Sequence, residues 1–235
     1  MKLNPLKRVL HRNLLKKTVQ TSLVLISLLS MTSCLEIIEE ITFRGNGSGQ
    51  FSLTVNLSQS QTKLKTLMTL DSINGFKVPS QKYITEETQK IASWLENEKG
   101  LSNVTPVLDF EKFVFSISCD FDKIENFDKG VLKIAQQYDK QGRLFQMNNF
   151  TFMDKIFKRK IPFSIANDYQ NLKAQQKQIL EEGEYIAIYR FPNPVKKQTN
   201  PDCKISKNGS ATMLRYKLMD IATGHKSIEN TIILE

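Results

Sequence analysis

The chain has 235 residues, of which 40% are hydrophobic and 24% charged, a balance typical of a globular protein. Its net charge is +9, but six of the 33 basic residues precede residue 18, and no acidic residue precedes Glu36. Without residues 1–33 the net charge falls to +3, which gives no support for nucleic-acid binding by the remainder.

The first 33 residues have the three parts of a secretory signal. A basic stretch ends at Lys17, an apolar run extends from Thr18 to Met31, and small polar residues come directly before Cys34. The apolar run has about a dozen residues, whereas a helix needs roughly 20 to cross a bilayer. We therefore predict a signal peptide over residues 1–33, with a permanent transmembrane anchor as the weaker alternative.

The signal ends in Met31-Thr32-Ser33-Cys34, which resembles the lipobox of bacterial lipoproteins. The resemblance implies cleavage between Ser33 and Cys34 and lipidation of Cys34 with diacylglycerol and, in many bacteria, a further acyl chain such as palmitate. Met31 departs from the motif, which usually has leucine there. Two or three acyl chains hold a protein durably at a membrane. The expected location is the cell envelope, most simply the outer membrane, and the alternative is a free or disulfide-bonded Cys34 behind an ordinary signal.

A β-hairpin is the first predicted element of the mature chain. Apolar residues alternate with polar ones on both sides of the glycine-rich residues 45–49, where Asn46 and Gly47 are expected to take positive φ angles. A phosphate-binding loop would need a helix directly after the glycines. Because a strand is predicted there instead, this interpretation of the glycine-rich segment is disfavoured. Three glutamates lie on the first predicted strand: Glu36, Glu39 and Glu40. We predict that they face water. The alternative is that they form the acidic surface-export signal of Bacteroidota lipoproteins, which they resemble loosely.

Helices and strand pairs alternate over the next hundred residues. Hydrophobic periodicity predicts a first helix around Leu64, Leu67 and Met68, which Ser58 or Ser60 caps, and a second helix over 85–98. Strands are predicted over 103–110 and 112–121. A third helix is predicted from a capping box at 122–125 to Tyr138. The second helix is expected to carry Ile91, Trp94 and Leu95 on one face.

The C-terminal part returns to strands. The pattern predicts strands over 144–148 and 150–156, a helix over 162–182, a strand in "GEYIAIYRFPNPV", a hairpin turning at Asn208-Gly209, and a last strand in "NTIILE". Because the strands come mostly in adjacent pairs, we predict an α+β fold: an antiparallel sheet built from hairpins with three to four helices mainly on one face. Residues 34–235 are expected to form a single domain.

Two cysteines remain besides Cys34. Cys119 alternates with the apolar residues of its predicted strand, so a buried free thiol is favoured, and a disulfide between Cys119 and Cys203 is the alternative. The mature chain has one histidine, His225, and no closely spaced cysteine pair. No metal site and no cofactor are therefore expected.

Two carboxylate pairs are the only candidates for acid and base catalysis: Asp109 with Glu111, and Asp120 with Asp122. A hydrolase acting on envelope glycans would need one carboxyl group of a pair to be desolvated. Both pairs lie at predicted strand ends, where exposure to solvent explains them more simply, and His225 lies in no recognisable catalytic motif. We therefore predict that the chain is not an enzyme.

Basic residues in the second half of the chain form a second candidate site: Lys155, Lys158, Arg159, Lys160, Lys196 and Lys197. A patch of these side chains would bind anionic lipid headgroups or an acidic partner. The simpler interpretation is that they are solvated residues at strand ends.

The framework "C…EEITFRGNGSGQFSLTVNLS", followed later by "YRFPNPV" and "ISKNGSATMLRYKLMDI", resembles an uncharacterised family of Bacteroidota envelope lipoproteins and, more distantly, the LppM-type lipoprotein domain. The resemblance covers the two ends of the mature chain and rests on turns and alternation. It implies an α+β domain in the envelope with a binding or assembly role, held at a membrane through Cys34, with other envelope proteins as partners and no nucleic acid.

Overall fold

The computed structural model describes residues 35–73, 76–138, 149–160 and 169–235. This part of the chain consists of a seven-stranded sheet, a four-stranded sheet, a two-stranded ribbon and five α-helices. The predicted α+β class is therefore confirmed. The predicted strand over 144–148 lies outside the described residues.

The elements are numbered in chain order. The strands are β1 Leu35–Phe43, β2 Gly49–Asn56, β3 Ser72–Ile73, β4 Phe76–Lys77, β5 Leu101–Asp109, β6 Val114–Phe121, β7 Phe150–Met153, β8 Ile156–Arg159, β9 Gly183–Arg190, β10 Val195–Gln198, β11 Lys204–Ile205, β12 Ala211–Lys217 and β13 Asn230–Leu234. The helices are α1 Gln61–Leu67, α2 Gln81–Glu96, α3 Ile124–Tyr138, α4 Ala174–Glu182 and α5 Leu218–Ala222.

The large sheet has the order β11-β12-β9-β1-β2-β6-β5. All of its neighbouring strands are antiparallel except β1 and β9, which run parallel with Leu35 opposite Gly183. The parallel pair differs from the purely antiparallel sheet that we predicted. Parallel strands need a long connection, and residues 44–182 lie between β1 and β9, whereas a tight turn joins antiparallel strands.

The predicted β1–β2 hairpin is present, but its turn differs from the prediction. Gly47 takes a positive φ of 84°, whereas Asn46 is not among the residues with positive φ. Asn46 instead accepts a hydrogen bond through Oδ1 from the backbone N–H of Ser48, at 3.1 Å. The Arg44 N–H donates to the Ser48 carbonyl and the Gly47 N–H to the Arg44 carbonyl, so one glycine in the left-handed region closes a longer loop.

One face of the large sheet forms the core. Odd-numbered residues of β1, β2 and β6 meet across the ladder, so Ile41 lies opposite Phe51 and Phe51 opposite Cys119, and all three are buried. The even-numbered positions on the opposite face of β2 and β6 are mostly Ser, Thr, Asn or Gln. This alternation follows from the two-residue period of a strand.

The four-stranded sheet, of order β10-β13-β8-β7, packs on the same core face. The Phe157 ring on β8 lies 5.2 Å from the ring of Phe43 and 4.9 Å from the ring of Tyr189 on the large sheet. The predicted single strand over 150–156 is wrong, because the chain reverses between β7 and β8. Asp154 and Lys155, at φ 51° and 63°, form that turn without a glycine.

Helices α2 and α3 cover the rest of this core face beside β5, β6 and β7. Helix α2 begins four residues earlier than predicted, where the Ser80 side chain accepts a hydrogen bond from the Tyr83 N–H. Helix α3 matches its prediction, but the capping box does not form: the Glu125 carboxylate accepts a hydrogen bond from the Phe152 N–H instead, at 3.0 Å. That bond joins α3 to the smaller sheet.

The remaining helices differ more from their predictions. Helix α1 follows Ser60, whose side chain makes no capping bond to the helix. Helix α4 covers only the last nine residues of the predicted helix over 162–182, and residues 161–168 lie outside the described part. Helices α4 and α5 contact each other and the strands β9 and β12.

Candidate functional site

The predicted processing site, Ser33 and Cys34, lies outside the described residues, as does the whole predicted signal peptide. Leu35 is the first described residue, and it already belongs to β1, where it lies opposite Gly183. The strand therefore starts with the residue that follows Cys34 in the sequence. Lipidation at Cys34 stays a prediction.

The carboxylate pairs proposed for catalysis lie at opposite ends of the β5–β6 hairpin. Asp109 is next to the hairpin turn, where its Oδ1 accepts hydrogen bonds from the backbone N–H groups of Glu111 and Lys112, at 3.0 and 2.8 Å. These bonds are typical of an aspartate that stabilises a turn. The first pair therefore has a structural role at this turn.

The second pair lies near the start of β5. Hydrogen bonds from Asn103 and Arg44, together with the positive charge of Arg44, hold the pKa of Asp120 below its ordinary value. A general acid needs a raised pKa, so this shift has the opposite sign. Asp122 accepts hydrogen bonds from the Lys123 N–H and the Asn126 amide at the start of α3, at 2.6 and 2.8 Å.

His225 is exposed in the turn after α5. Within residues 35–73, 76–138, 149–160 and 169–235, no three imidazole, thiol or carboxylate groups lie close enough together to hold a metal ion. Over the same ranges, no helix has both the length and the apolar composition needed to span a membrane.

Both described cysteines are buried free thiols, at 1% exposure for Cys119 and 7% for Cys203. The structure thus agrees with the favoured prediction for Cys119 and not with the disulfide alternative. Burial, with a smaller contribution from the negative charge of Asp120, raises the pKa of Cys119 to about 12. Burial also raises the pKa of Cys203.

We expect both thiols to be unreactive toward a disulfide reagent in the folded Cys34→Ala protein at pH 8, and both to react in urea. The reactive species is the thiolate, which burial suppresses. Because the pKa of Cys119 is raised in the folded state, the neutral thiol contributes its full stabilisation below the ordinary thiol pKa of 9.0, and this stabilisation is lost as pH rises toward about 12. Thiol titration and urea unfolding between pH 8 and 11 measure the two effects. Rapid reaction before unfolding, or one missing thiol equivalent in urea, would contradict the prediction.

The smaller sheet places Arg159 of the predicted basic patch on the opposite face from Lys158 and Lys197. Lys158 and Lys197 are exposed on β8 and β10, on either side of β13. Arg159 points the other way, into the space between the sheets, where its side chain is 11% exposed. Because neighbouring residues of a strand face opposite sides, the run 158–160 does not form one continuous surface.

Arg159 meets Glu39, which was predicted to face water. Glu39 is only 6% exposed, and its carboxylate accepts two hydrogen bonds from the Arg159 guanidinium, each 3.2 Å long, and one from the Tyr189 hydroxyl, 2.5 Å long. The prediction for Glu39 is therefore wrong. Glu36 and Glu40 lie on the opposite face of β1, in agreement with the prediction. Glu36 accepts a hydrogen bond from Asn56, and Glu40 accepts one from Arg190.

The charges of this buried cluster, Glu39, Arg159 and Tyr189, are compensated locally. Burial alone would lower the pKa of Arg159, but the Glu39 carboxylate and the nearby tyrosines raise it, so the guanidinium stays charged. Burial, and then the charge of Glu39, raise the pKa of Tyr189 well above its ordinary value. The hydroxyl therefore stays protonated and donates a hydrogen bond to Glu39. The buried cluster joins β1 and β9 of the large sheet to β8 of the smaller one.

An aromatic surface lies on the outside of helices α2 and α3, and we define it as Tyr83, Trp94 and Tyr138. Tyr83 and Tyr138 are 56% and 52% exposed. The rings of Trp94 and Tyr138 are 6.3 Å apart in an edge-to-face arrangement, and the Lys90 ammonium lies 4.9 Å from the centre of the Trp94 ring. Trp94 is half-buried, whereas Leu95, which the sequence placed on the same helical face, is buried.

A groove of about 250 Å³ runs beside Trp94 between the two helices. Gly130 and Ile134 line it on α3, and an ion pair between Lys133 and Glu98, with N–O distances of 2.7 and 2.6 Å, crosses it. A second depression, of about 340 Å³, adjoins Tyr83 and Pro79. Periodicity placed Trp94 and Tyr138 on helices, but it does not show which aromatic side chains remain outside the core.

Hydrogen bonding orders the exposed edge of the aromatic surface. The Tyr138 hydroxyl donates to the Glu87 carboxylate at 2.7 Å, and this bond, followed by burial and the negative charge of Glu87, raises the pKa of Tyr138 to about 12. The phenol therefore stays neutral at physiological pH with its ring held in place across the two helices. A ring that is already ordered loses less entropy when a partner binds.

No protein-family model matches the chain, and no curated protein matches it either. Among solved structures, the chain is similar to the folded domain of LppM from Mycobacterium tuberculosis, determined by NMR, over 86% of this chain and 90% of that one. The sequence identity is 11% and the TM-score 0.40, a similarity that transfers no function between the two proteins. The Bacteroidota family stays a prediction. The chain is thus an α+β protein with distant structural similarity to the LppM domain.

Proposed function

We propose that this protein is a lipid-anchored component of the bacterial cell envelope that binds another envelope protein through its aromatic surface. The exposed aromatic surface is the observation that carries the binding role. The anchor rests on the basic and apolar leader and on Ser33-Cys34, which resembles the end of a lipobox. The outer membrane is the proposed location.

Two exposed tyrosines beside a half-buried tryptophan support a protein partner. Trp and Tyr are enriched among the residues that dominate protein–protein binding energies, and they combine a large apolar area with a polar group. Tyr83 and Tyr138 stand more than half exposed, although 40% of the sequence is hydrophobic and many other aromatic residues are buried. Lys90, Lys133, Glu87 and Glu98 surround these rings as a polar rim.

The alternative, a hydrolase that acts on envelope glycans through paired carboxylates, has less support. Asp109 stabilises a turn, and Asp120 has a lowered pKa. The groove beside Trp94 contains one carboxylate, Glu98, which is ion-paired with Lys133. We therefore propose a binding role without catalysis.

Chemical cross-linking in membranes, followed by gentle solubilisation and affinity capture, tests both parts of the proposal. The proteins to compare are the wild type, Cys34→Ala, a Trp94→Ala/Tyr138→Ala double variant, and Met153→Ala as a control. Met153 is 70% exposed but lies on the β7–β8 hairpin, so its replacement removes exposed apolar area elsewhere. Mass spectrometry of the wild type measures the lipid on Cys34.

We expect one partner to be captured by the wild type and by Met153→Ala, and about tenfold less by the double variant, which corresponds to a loss of about 1.4 kcal/mol. Cys34→Ala should lack the lipid mass, appear in the soluble fraction and lose the partner. Equal capture by the double variant would overturn the role of the aromatic surface. An unmodified Cys34 thiol in the wild type would overturn the lipid anchor.

A further inference from the structure

The start of β1 determines how far the folded domain can stand from a lipid on Cys34. Leu35 is already paired with Gly183, and Glu36 with Asn56, so the strand has no flexible linker before it. Consecutive Cα atoms are about 3.8 Å apart. A lipid on Cys34, as in the proposed function, would therefore hold this end of the large sheet directly against the headgroups.

Helix α1 lies at the same end of the sheet. It follows β2 after a single 3-10 turn, and β2 ends at Asn56, opposite Glu36. The Leu57 N–H donates to the Phe113 carbonyl at 2.9 Å, and the Gln61 side chain donates to the Glu111 carbonyl. Both acceptors belong to the β5–β6 turn region, which lies at this end because Val114 pairs with Asn56.

Helix α1 also has the composition of a helix that lies in a membrane interface. None of its seven residues is fully buried: Leu64, Leu67 and the following Met68 are half-buried on one face, and Lys63 and Lys65 are exposed. Leu70, just beyond the helix, is 47% exposed. Helices with an apolar face and lysines on the polar side bind at the boundary between headgroups and acyl chains.

The charge of this segment favours anionic headgroups. Residues 58–71 contain two exposed lysines, Lys63 and Lys65, and one exposed acidic residue, Asp71, so the segment has a net positive charge. Lysine side chains near an anionic membrane surface are attracted to its headgroups. The lipid on Cys34 would supply the durable attachment, and α1 would supply a second contact that fixes the orientation.

We propose that the end of the large sheet formed by the start of β1 and by helix α1 rests on the bilayer, with Lys63, Lys65 and Leu70 at the level of the headgroups. This inference rests on the lipid anchor of the proposed function. It places the β1–β2 turn at residues 45–49 farthest from the membrane. A nine-residue strand at about 3.3 Å per residue separates the two ends by roughly 30 Å.

Fluorescence quenching in vesicles tests this orientation. Thr66→Cys on α1 and Gly45→Cys in the β1–β2 turn introduce exposed thiols in the full-length, lipidated protein, and a Cβ at Gly45 meets nothing within 4 Å. Each variant is labelled with a fluorophore and reconstituted into vesicles of phosphatidylethanolamine and phosphatidylglycerol that contain a headgroup-linked spin label. Cys119 and Cys203 are buried and stay unlabelled.

We expect quenching of the label at residue 66 to be several-fold stronger than quenching at residue 45. Equal quenching, or stronger quenching at residue 45, in protein that floats with the vesicles would overturn the orientation and leave the lipid anchor intact. Failure of both labelled proteins to float would instead overturn the anchor, and this inference with it.

Discussion

Replacing Arg159 with methionine is expected to lower the free energy of unfolding by about 3–5 kcal/mol, because the change leaves the buried Glu39 carboxylate without its cation. The two side chains are only 11% and 8% exposed, so water cannot readily replace the lost hydrogen bonds. The Tyr189 hydroxyl remains as a donor to Glu39 but carries no charge. Urea unfolding of the Cys34→Ala protein, followed by the fluorescence of its only tryptophan, Trp94, measures the change.

Arg190→Met is the matched control, since Arg190 pairs with Glu40 at 2.9 Å on the exposed face of the same strands. Pairs of this exposed kind contribute about 0–1 kcal/mol. The double variant Glu39→Leu/Arg159→Met should recover much of the lost stability, because it removes both charges together and keeps the apolar volume. Equal effects of Arg159→Met and Arg190→Met would contradict the burial of Arg159 between the sheets.

Truncation of Phe157 to alanine is expected to cost about 3–5 kcal/mol of stability, the range for a large aromatic side chain in a protein core. Phe157 has 0% exposure, and its ring lies within 6.3 Å, centre to centre, of four other aromatic rings. These rings belong to both sheets and to the segment after β9: Phe43, Phe150, Tyr189 and Phe191. The cavity left by the change would therefore open where the two sheets meet.

Met153→Ala tests the same β7–β8 hairpin at a position that is 70% exposed. Surface replacements of this kind usually change stability by no more than about 0.5 kcal/mol. Thermal and urea unfolding of both variants give the comparison. A cost below 1 kcal/mol for Phe157→Ala would show that the smaller sheet does not pack on the large one as described.

Local patterns were sufficient for much of this fold. The β1–β2 hairpin, the β5–β6 pair, α3 and the last strand were all predicted, because each depends on alternation or helical periodicity within a short segment and on nearby turn residues. Cys119 was assigned to the core for the same reason. The two-residue period of its strand places it beside Ile117 and Phe121 on the core face.

The β7–β8 hairpin was missed because its turn has no sequence signal. Tight hairpin turns of this kind favour Asn-Gly or Asp-Gly, whereas the chain has Asp154-Lys155, and the lysine takes a positive φ of 63° without being glycine. Without the turn, the residues from Phe150 to Ile156 show a single continuous strand pattern. The second sheet, and with it the inward direction of Arg159, was therefore invisible.

The amino-acid sequence by itself determined the class of fold, the hairpin and helix that follow residue 34, the last strand, and the prediction of a lipid-bearing Cys34. Only the tertiary structure decided that Glu39 is buried, because its partner Arg159 lies 120 residues away and charge compensation across two sheets leaves no local pattern. The same holds for the aromatic surface. Whether Tyr83, Trp94 and Tyr138 are covered depends on how α2 and α3 pack against each other, which periodicity within either helix does not specify.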